Sequence, residues 1–374
     1  MEKNTDYLKK STVSQLYAYQ ISSLNRTITD YLRLNKEAEN IVWKVCPKCG
    51  AAVDSFEKGG FTGNKKRNHR KPMLKCPVCG HRFVEDHGQL TFYSHMDRSI
   101  WDKVLADTME GKSLQATAAA VDKTTVTVFY MRHKILSFLE EENEAVSVEK
   151  VAEADEKYVH ESHKGLVKAV IDNRTKVIKV RKSPRKKKIR GLGNDKACIT
   201  TAVQREGGAY IHTANMGKPS SDDMECLDNH IRDGTLVFTD GCTAYEKVLH
   251  RKNCIVKELK SSVSYDAVDH LNTVNSLHSK IDLWIRKYRN VNTIYTNRYN
   301  ALFSVRHHFA GEDIEEIVVK ILKRLRSETQ YFYHRDLYKK TFNDDAVMKA
   351  REGLTGIVHI NWLKATQNYR VIYV

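Results

Sequence analysis

At 374 residues the chain exceeds one ordinary core, and two or three domains of roughly 100–200 residues each are expected. Its 62 Lys and Arg against 46 Asp and Glu leave a formal charge of +16, which points to a polyanionic partner, and 41% hydrophobic residues exclude wholesale disorder. No apolar run approaches the ~20 residues that span a bilayer, and the start MEKNTDYLKK lacks the apolar core of a secretion signal, so a cytoplasmic chain without a membrane partner is expected.

Residues 1–45 are polar with helical spacing of Leu8, Leu16, Ile21, Leu24, Ile28 and Leu32, and read as a helical N-terminal segment. Residues 46–90 carry two knuckles, Cys46-Pro-Lys-Cys49-Gly and Cys76-Pro-Val-Cys79-Gly, 26 residues apart. A two-residue gap lets both sulfurs of a knuckle face one point about 2.3 Å away, and the glycine after it relieves the turn. Four thiolates complete a tetrahedral zinc and leave no open position, so the predicted ion is structural. The competing reading is a redox Cys-x-x-Cys. The interval KKRNHRK at 65–71 suits a nucleic-acid phosphate backbone. The other cysteines, Cys198, Cys226, Cys242 and Cys254, are scattered as in a reducing compartment.

Residues 91–140 read as three helices: 97–110 ended by Gly111, a short SLQATAAAV segment capped by Ser113, and 125–139 after a tight turn at 122–124. This is helix-turn-helix spacing, with the third helix in the major groove. Its candidates for DNA contact are Thr124, Thr125, Thr127, Tyr130, Arg132, His133 and Lys134. The alternative is a three-helix bundle with only a packing role. Residues 141–153, acidic and poor in apolar side chains, read as a linker.

Residues 154–305 show apolar alternation at 156–162, 166–171, 176–180, 197–204 and 209–214. A helix at 221–231, a strand at 235–240, a helix at 243–250, a strand at 254–259 and a long helix at 272–289 follow. This succession is the order of a ribonuclease H-like α/β domain, whose first and fourth strands are neighbours. Asp155 opens the first strand and Asp240 ends the fourth, so their carboxylates would converge on Mg²⁺, a hard ion that takes oxygen ligands. Two such ions could serve an in-line phosphodiester displacement. On the 272–289 helix, Asn275 and Asp282 lie two turns apart on the polar side, each a candidate third ligand unless that face is merely solvated. Residues 306–374 have helical spacing.

The stretch 181–190, RKSPRKKKIR, opens a basic loop at 181–193 with Arg181, Lys182, Arg185, Lys186, Lys187, Lys188 and Arg190. It reads as a phosphate contact or as a flexible solvated loop. The expected architecture is thus multidomain α+β: zinc ribbon and helix-turn-helix, then a ribonuclease H-like α/β catalytic domain, then a helical C-terminal region.

In CPKCG with CPVCGHRF, ADEKYV, the basic loop with its following strand, TDGCTAY and HLNTVNSLHSKIDLW, the chain resembles bacterial insertion-sequence DDE transposases of the ISXO2-like group, which carry a zinc ribbon and a helix-turn-helix. The resemblance covers about residues 40–305. It implies Asp155, Asp240 and Asn275 as the catalytic set, Asn standing where other groups have Glu. That group often has Lys seven residues after the Asn, where this chain has Asp282. Also implied are catalytic Mg²⁺, replaceable by Mn²⁺, and cleavage at the element's inverted repeats with strand transfer into target DNA. A homodimer or higher oligomer would pair two ends in a nucleoid-associated synaptic complex. The alternatives are an inactive, transposase-derived DNA-binding protein and a ribonuclease of similar fold.

Overall fold

The computed structural model describes residues 45–62, 70–181, 193, 195–259, 268–327, 342 and 354–373. The expected helical segment before Val45 and the loop residues Lys182, Arg185, Lys186, Lys187, Lys188 and Arg190 lie outside them. Two compact units emerge, Met1–Glu110 with Glu312–Tyr331, and Gly111–Gly311 with Phe332–Val374.

In the first unit each cysteine knuckle closes on itself. The Gly50 N–H donates to Cys46 O at 3.0 Å, and the Gly80 N–H to Cys76 O at 2.9 Å. Both glycines take positive φ, +71° and +68°, where a side chain would be strained. Strands β1 (Glu57–Phe61), β2 (Pro72–Lys75) and β3 (Arg82–Val84) form an antiparallel sheet in that order. Helix α1 (Arg98–Glu110) buries Trp101, Val104, Leu105 and Met109, and packs on the helix Ile314–Ser327, which buries Val318 and Leu322.

The second unit starts with α2 (Leu114–Ala120) and α3 (Thr125–Glu144). Then come β4 (Val151–His160), β5 (Leu166–Asp172), β6 (Val177–Arg181), β7 (Lys196–Gln204), β8 (Ala209–Met216) and β9 (Leu236–Thr239). Helix α4 (Glu246–Arg251), strand β10 (Ile255–Glu258) and helices α5 (Asn272–Lys287) and α6 (Thr296–His308) complete the α/β body. Its five-stranded sheet has the order β10-β9-β4-β7-β8, with β4 parallel to β9 and antiparallel to β7. One face of β4 gives Ala152 and Ala154 to a core shared with Val237, Tyr245, Val248 and Leu249. The sheet also packs on α5 and α6, so helices cover both of its faces.

Three expected boundaries are corrected. Residues 141–153 are no linker: α3 continues to Glu144, the Asn143 amide donates to Ile211 O at 3.1 Å, and Val148 is fully buried. Acidic composition there reflects the exposed side of an element pinned by a few inward residues. The three helices at 91–140 exist, with Ser113 and Thr124 capping α2 and α3, but α1 belongs to one unit and α2 and α3 to the other. Helix α3 lies along α6 and β8. The 306–374 region is not all helical. Strands β11 (Leu354–Gly356) and β12 (Arg370–Tyr373) flank β5 and β6 in a separate sheet of order β11-β5-β6-β12, closed by the helix Ile357–Gln367 through Ile360, Leu363, Ile178 and Val180. Thus β5 and β6, expected in the main sheet, form a hairpin inserted between β4 and β7.

Candidate active site

Register brings the two aspartates together. Strand β9 runs parallel to β4 with Thr239 opposite Ala154, so the residue that follows each pair, Asp240 and Asp155, emerges side by side where β9 ends. Gly241 then turns the chain at φ +87°, and the Cys242 N–H donates to Asp240 Oδ1 at 3.0 Å, fixing that carboxylate. Glu156 completes the group: single carboxylate oxygens of Asp155, Glu156 and Asp240 lie within 4.8 Å of one another. Sequence reasoning missed Glu156 because strict strand alternation sends it to the face opposite Asp155. The motif ADEKYV contained it all the same.

Such crowding is electrostatically costly. Burial, then the charges of Glu156 and Asp240, push the Asp155 carboxyl up to about 7. Burial also raises the Glu156 carboxyl, whose Oε2 is enclosed without a hydrogen-bond partner among the described residues. An all-oxygen donor set with an unsatisfied buried oxygen fits a hard divalent cation.

Helix α5 lies over the other side of Asp155, and the strand and helix periods match. Glu153, Asp155 and Lys157 alternate onto one face of β4, and each meets α5 about one turn further along. Glu153, fully buried, accepts from the Val274 N–H at 2.9 Å, the Thr273 hydroxyl at 3.0 Å and Arg205 Nε at 2.8 Å. It thereby caps a helix whose own N-cap residue, Leu271, has no side-chain cap. His278 Nδ1 stands 3.5 Å from Asp155 Oδ2, and its Nε2 is 3.2 Å from Thr201 Oγ1. Burial, then nearby Lys157, push the His278 imidazole down to about 4, so it is neutral at pH 7. Lys157 Nζ meets Asp282 Oδ2 at 2.8 Å.

Of the residues expected here, Asp155 and Asp240 come together. Asn275 is exposed on α5, one turn before His278. Asp282 is engaged by Lys157 and is not one of the three clustered carboxylates. Sequence reasoning missed Lys157 and His278: Lys157 follows Asp155 by two residues on β4, and His278 lies on the buried side of α5 with Leu277 and Ile281.

Elsewhere, the sulfurs of Cys46, Cys49, Cys76 and Cys79 lie within 4.8 Å of one another, a tetrathiolate group that fits one zinc. Among the DNA-contact candidates, Thr124 and Thr125 are exposed and Thr127 and Tyr130 half-buried. Arg132, His133 and Lys134 are buried, which corrects their expected contact with DNA. Arg132 donates to Lys112 O at 2.8 Å and lies over the Tyr288 ring, while the His133 ring packs on Tyr295. Arg181 ends β6. No helix among the described residues is long and apolar enough to cross a membrane.

No curated protein matches the chain. Five solved chains are similar, among them that of the Mos1 mariner paired end complex with Mn, at 12% identity over 62% of this chain and 79% of that one. Its TM-score of 0.24 is too low to place any residue. The model of the ISXO2-like transposase domain matches residues 147–307, the stretch that holds all three clustered carboxylates. Residues 147–307 are therefore an ISXO2-like transposase domain, and the protein is an enzyme of the DDE transposase type.

Proposed function

We propose that this transposase binds duplex DNA at the inverted repeats of its element, cleaves there and joins the released strand ends to target DNA. The convergence of Asp155, Glu156 and Asp240 on one point carries this reading. The three carboxylates would hold Mg²⁺, or Mn²⁺ in its place. When bound, the cation neutralises charge on the reacting phosphate and polarises the attacking and leaving oxygens. His278, neutral and fixed by Thr201, holds Asp155 in place from the α5 side. Glu153 fastens α5 to the same strand and so sets the height of Asn275, whose amide would serve the third family position. Glu156 supplies a third acid without help from α5, which disfavours the reading as an inactive derivative.

The ribonuclease H-like assignment of the main sheet rests on β4 lying centrally between β9 and β7. One zinc on the four cysteines would staple the ribbon, which is short of apolar core. Excess positive charge, including the 181–193 loop, would meet DNA phosphates, and two protomers at least would pair two ends. The test is strand transfer in Mg²⁺ on oligonucleotide duplexes carrying the repeats that border the gene. Wild-type protein is expected to join them and Asp240→Ala to fail; joining by Asp240→Ala would remove this active site from consideration.

A further inference from the structure

The carboxylate group presents a substrate problem. A DNA strand that places one phosphate at Asp155, Glu156 and Asp240 must bring its neighbouring phosphates, also anionic, over the same acidic ground. Lys157 follows Asp155 by two residues on the same face of β4, about 6.7 Å further along the strand. Its side chain is 15% exposed and aims its ammonium at Asp282 on α5, at 2.8 Å. The partner is far more open: the Asp282 side chain is 47% exposed. A well-held cation paired with a solvated carboxylate is a weak ion pair whose anion is easily exchanged.

We propose that Lys157 binds the DNA phosphate next to the scissile one, and that Asp282 is its stand-in anion in the DNA-free enzyme. This rests on the transposase active site described above and adds a substrate-binding residue to it. Geometry favours the exchange. Lys157 is fixed to the strand that carries Asp155, so the spacing between reacting centre and ammonium is set by the backbone. Asp282, near the C-terminal end of α5, keeps the ammonium extended across the strand–helix seam when no phosphate is present. Lys157 then offsets the repulsion that the acidic cluster exerts on a flanking phosphate. Asp282 needs no contact with the catalytic cation.

The test uses full-length protein and an oligonucleotide duplex carrying one of the inverted repeats that border the gene. Cleavage in Mg²⁺ and, with Ca²⁺ in its place, binding by fluorescence anisotropy are both followed over a salt series. Lys157→Met is expected to raise KM and Kd about tenfold. It should also flatten the slope of log Kd against log salt by about 0.9, the loss of one phosphate contact. Lys157→Arg should restore both. Asp282→Asn should leave the Mg²⁺ concentration for half-maximal cleavage unchanged and should not weaken DNA binding. A raised Mg²⁺ requirement in Asp282→Asn would make Asp282 a metal ligand and overturn the proposal. A lowered melting temperature in Lys157→Met with an unchanged salt slope would reduce the pair to a structural tie and overturn it too. If the wild-type protein fails to cleave, the active-site reading fails, while the anisotropy salt slopes still decide for or against Lys157.

Discussion

His278 and Asp155 face each other at 3.5 Å, the imidazole pushed down to about 4 and the carboxyl up to about 7, so both are mainly uncharged only between those two values. The two groups pull stability in opposite directions with pH. The raised Asp155 contributes stability that is present below its ordinary value of 3.8 and is lost as pH climbs through about 7. The lowered His278 contributes stability that is present above 6.5 and is lost as pH falls through about 4. Above pH 7 the unfavourable ionisation of Asp155 is what remains. In metal-free protein at pH 8, Asp155→Asn is expected to be more stable than wild type by roughly 2–4 kcal/mol, and the gap should close by pH 4. Denaturant melts in EDTA at the two pH values check this; identical midpoints at pH 8 would contradict it.

The same carboxyl sets a proton–metal competition. Below about pH 7 a cation must displace the Asp155 proton, so half-saturating Mg²⁺ should fall up to about tenfold per pH unit between 6 and 7 and then level off. Cleavage titrated with Mg²⁺ at a series of pH values gives the curve.

Glu156 should matter as much as the two aspartates. Glu156→Gln keeps the shape of the side chain and removes its charge, and cleavage should drop by more than about a hundredfold. Its metal-free stability should rise, because a buried carboxylate and its repulsion disappear. Activity within a few-fold of wild type would remove Glu156 from the site.

Zinc content is a separate matter. Cys49→Ser should lose the roughly one zinc per chain expected of wild type, and the sheet β1-β2-β3 should become susceptible to protease while the α/β unit stays resistant. Metal analysis with limited proteolysis reads both. A zinc-free wild-type protein with an intact ribbon would refute the assignment.

Arg132 is expected to behave as a core residue. Arg132→Ala leaves Lys112 O and Tyr288 without their guanidinium partner, and should destabilise the protein by about 2–4 kcal/mol. Thr125→Ala, on the exposed start of α3, should change stability by less than about 0.5 kcal/mol. Thermal melts compare the two. An Arg132→Ala variant that melts normally but binds DNA less well would return Arg132 to the DNA surface.

Much of this architecture was legible because β-strand alternation and helix caps are local signals. The strands around Asp155 and Asp240, the cap Ser113, and the α5 helix fall within a few residues of where local sequence signals put them, whereas the capping role of Thr124 emerges only in the structure. What was not legible depends on partners distant in sequence. Nothing near Arg132 announces that Tyr288 lies under it, and nothing in 141–153 announces that Asn143 grips the backbone of Ile211. The same holds for Asp282: its helix face was correctly read as polar, but only the register between β4 and α5 pairs it with Lys157 rather than with the aspartates.

The sheet formed by β11-β5-β6-β12 joins chain segments that are synthesised far apart in time. During translation the β5–β6 hairpin leaves the ribosome long before either flanking strand exists, with both its edges open to any extended peptide nearby. The closing residues of the described chain therefore act as a late-arriving seal, and removing Leu354–Tyr373 should turn a well-behaved enzyme into one that self-associates through that hairpin.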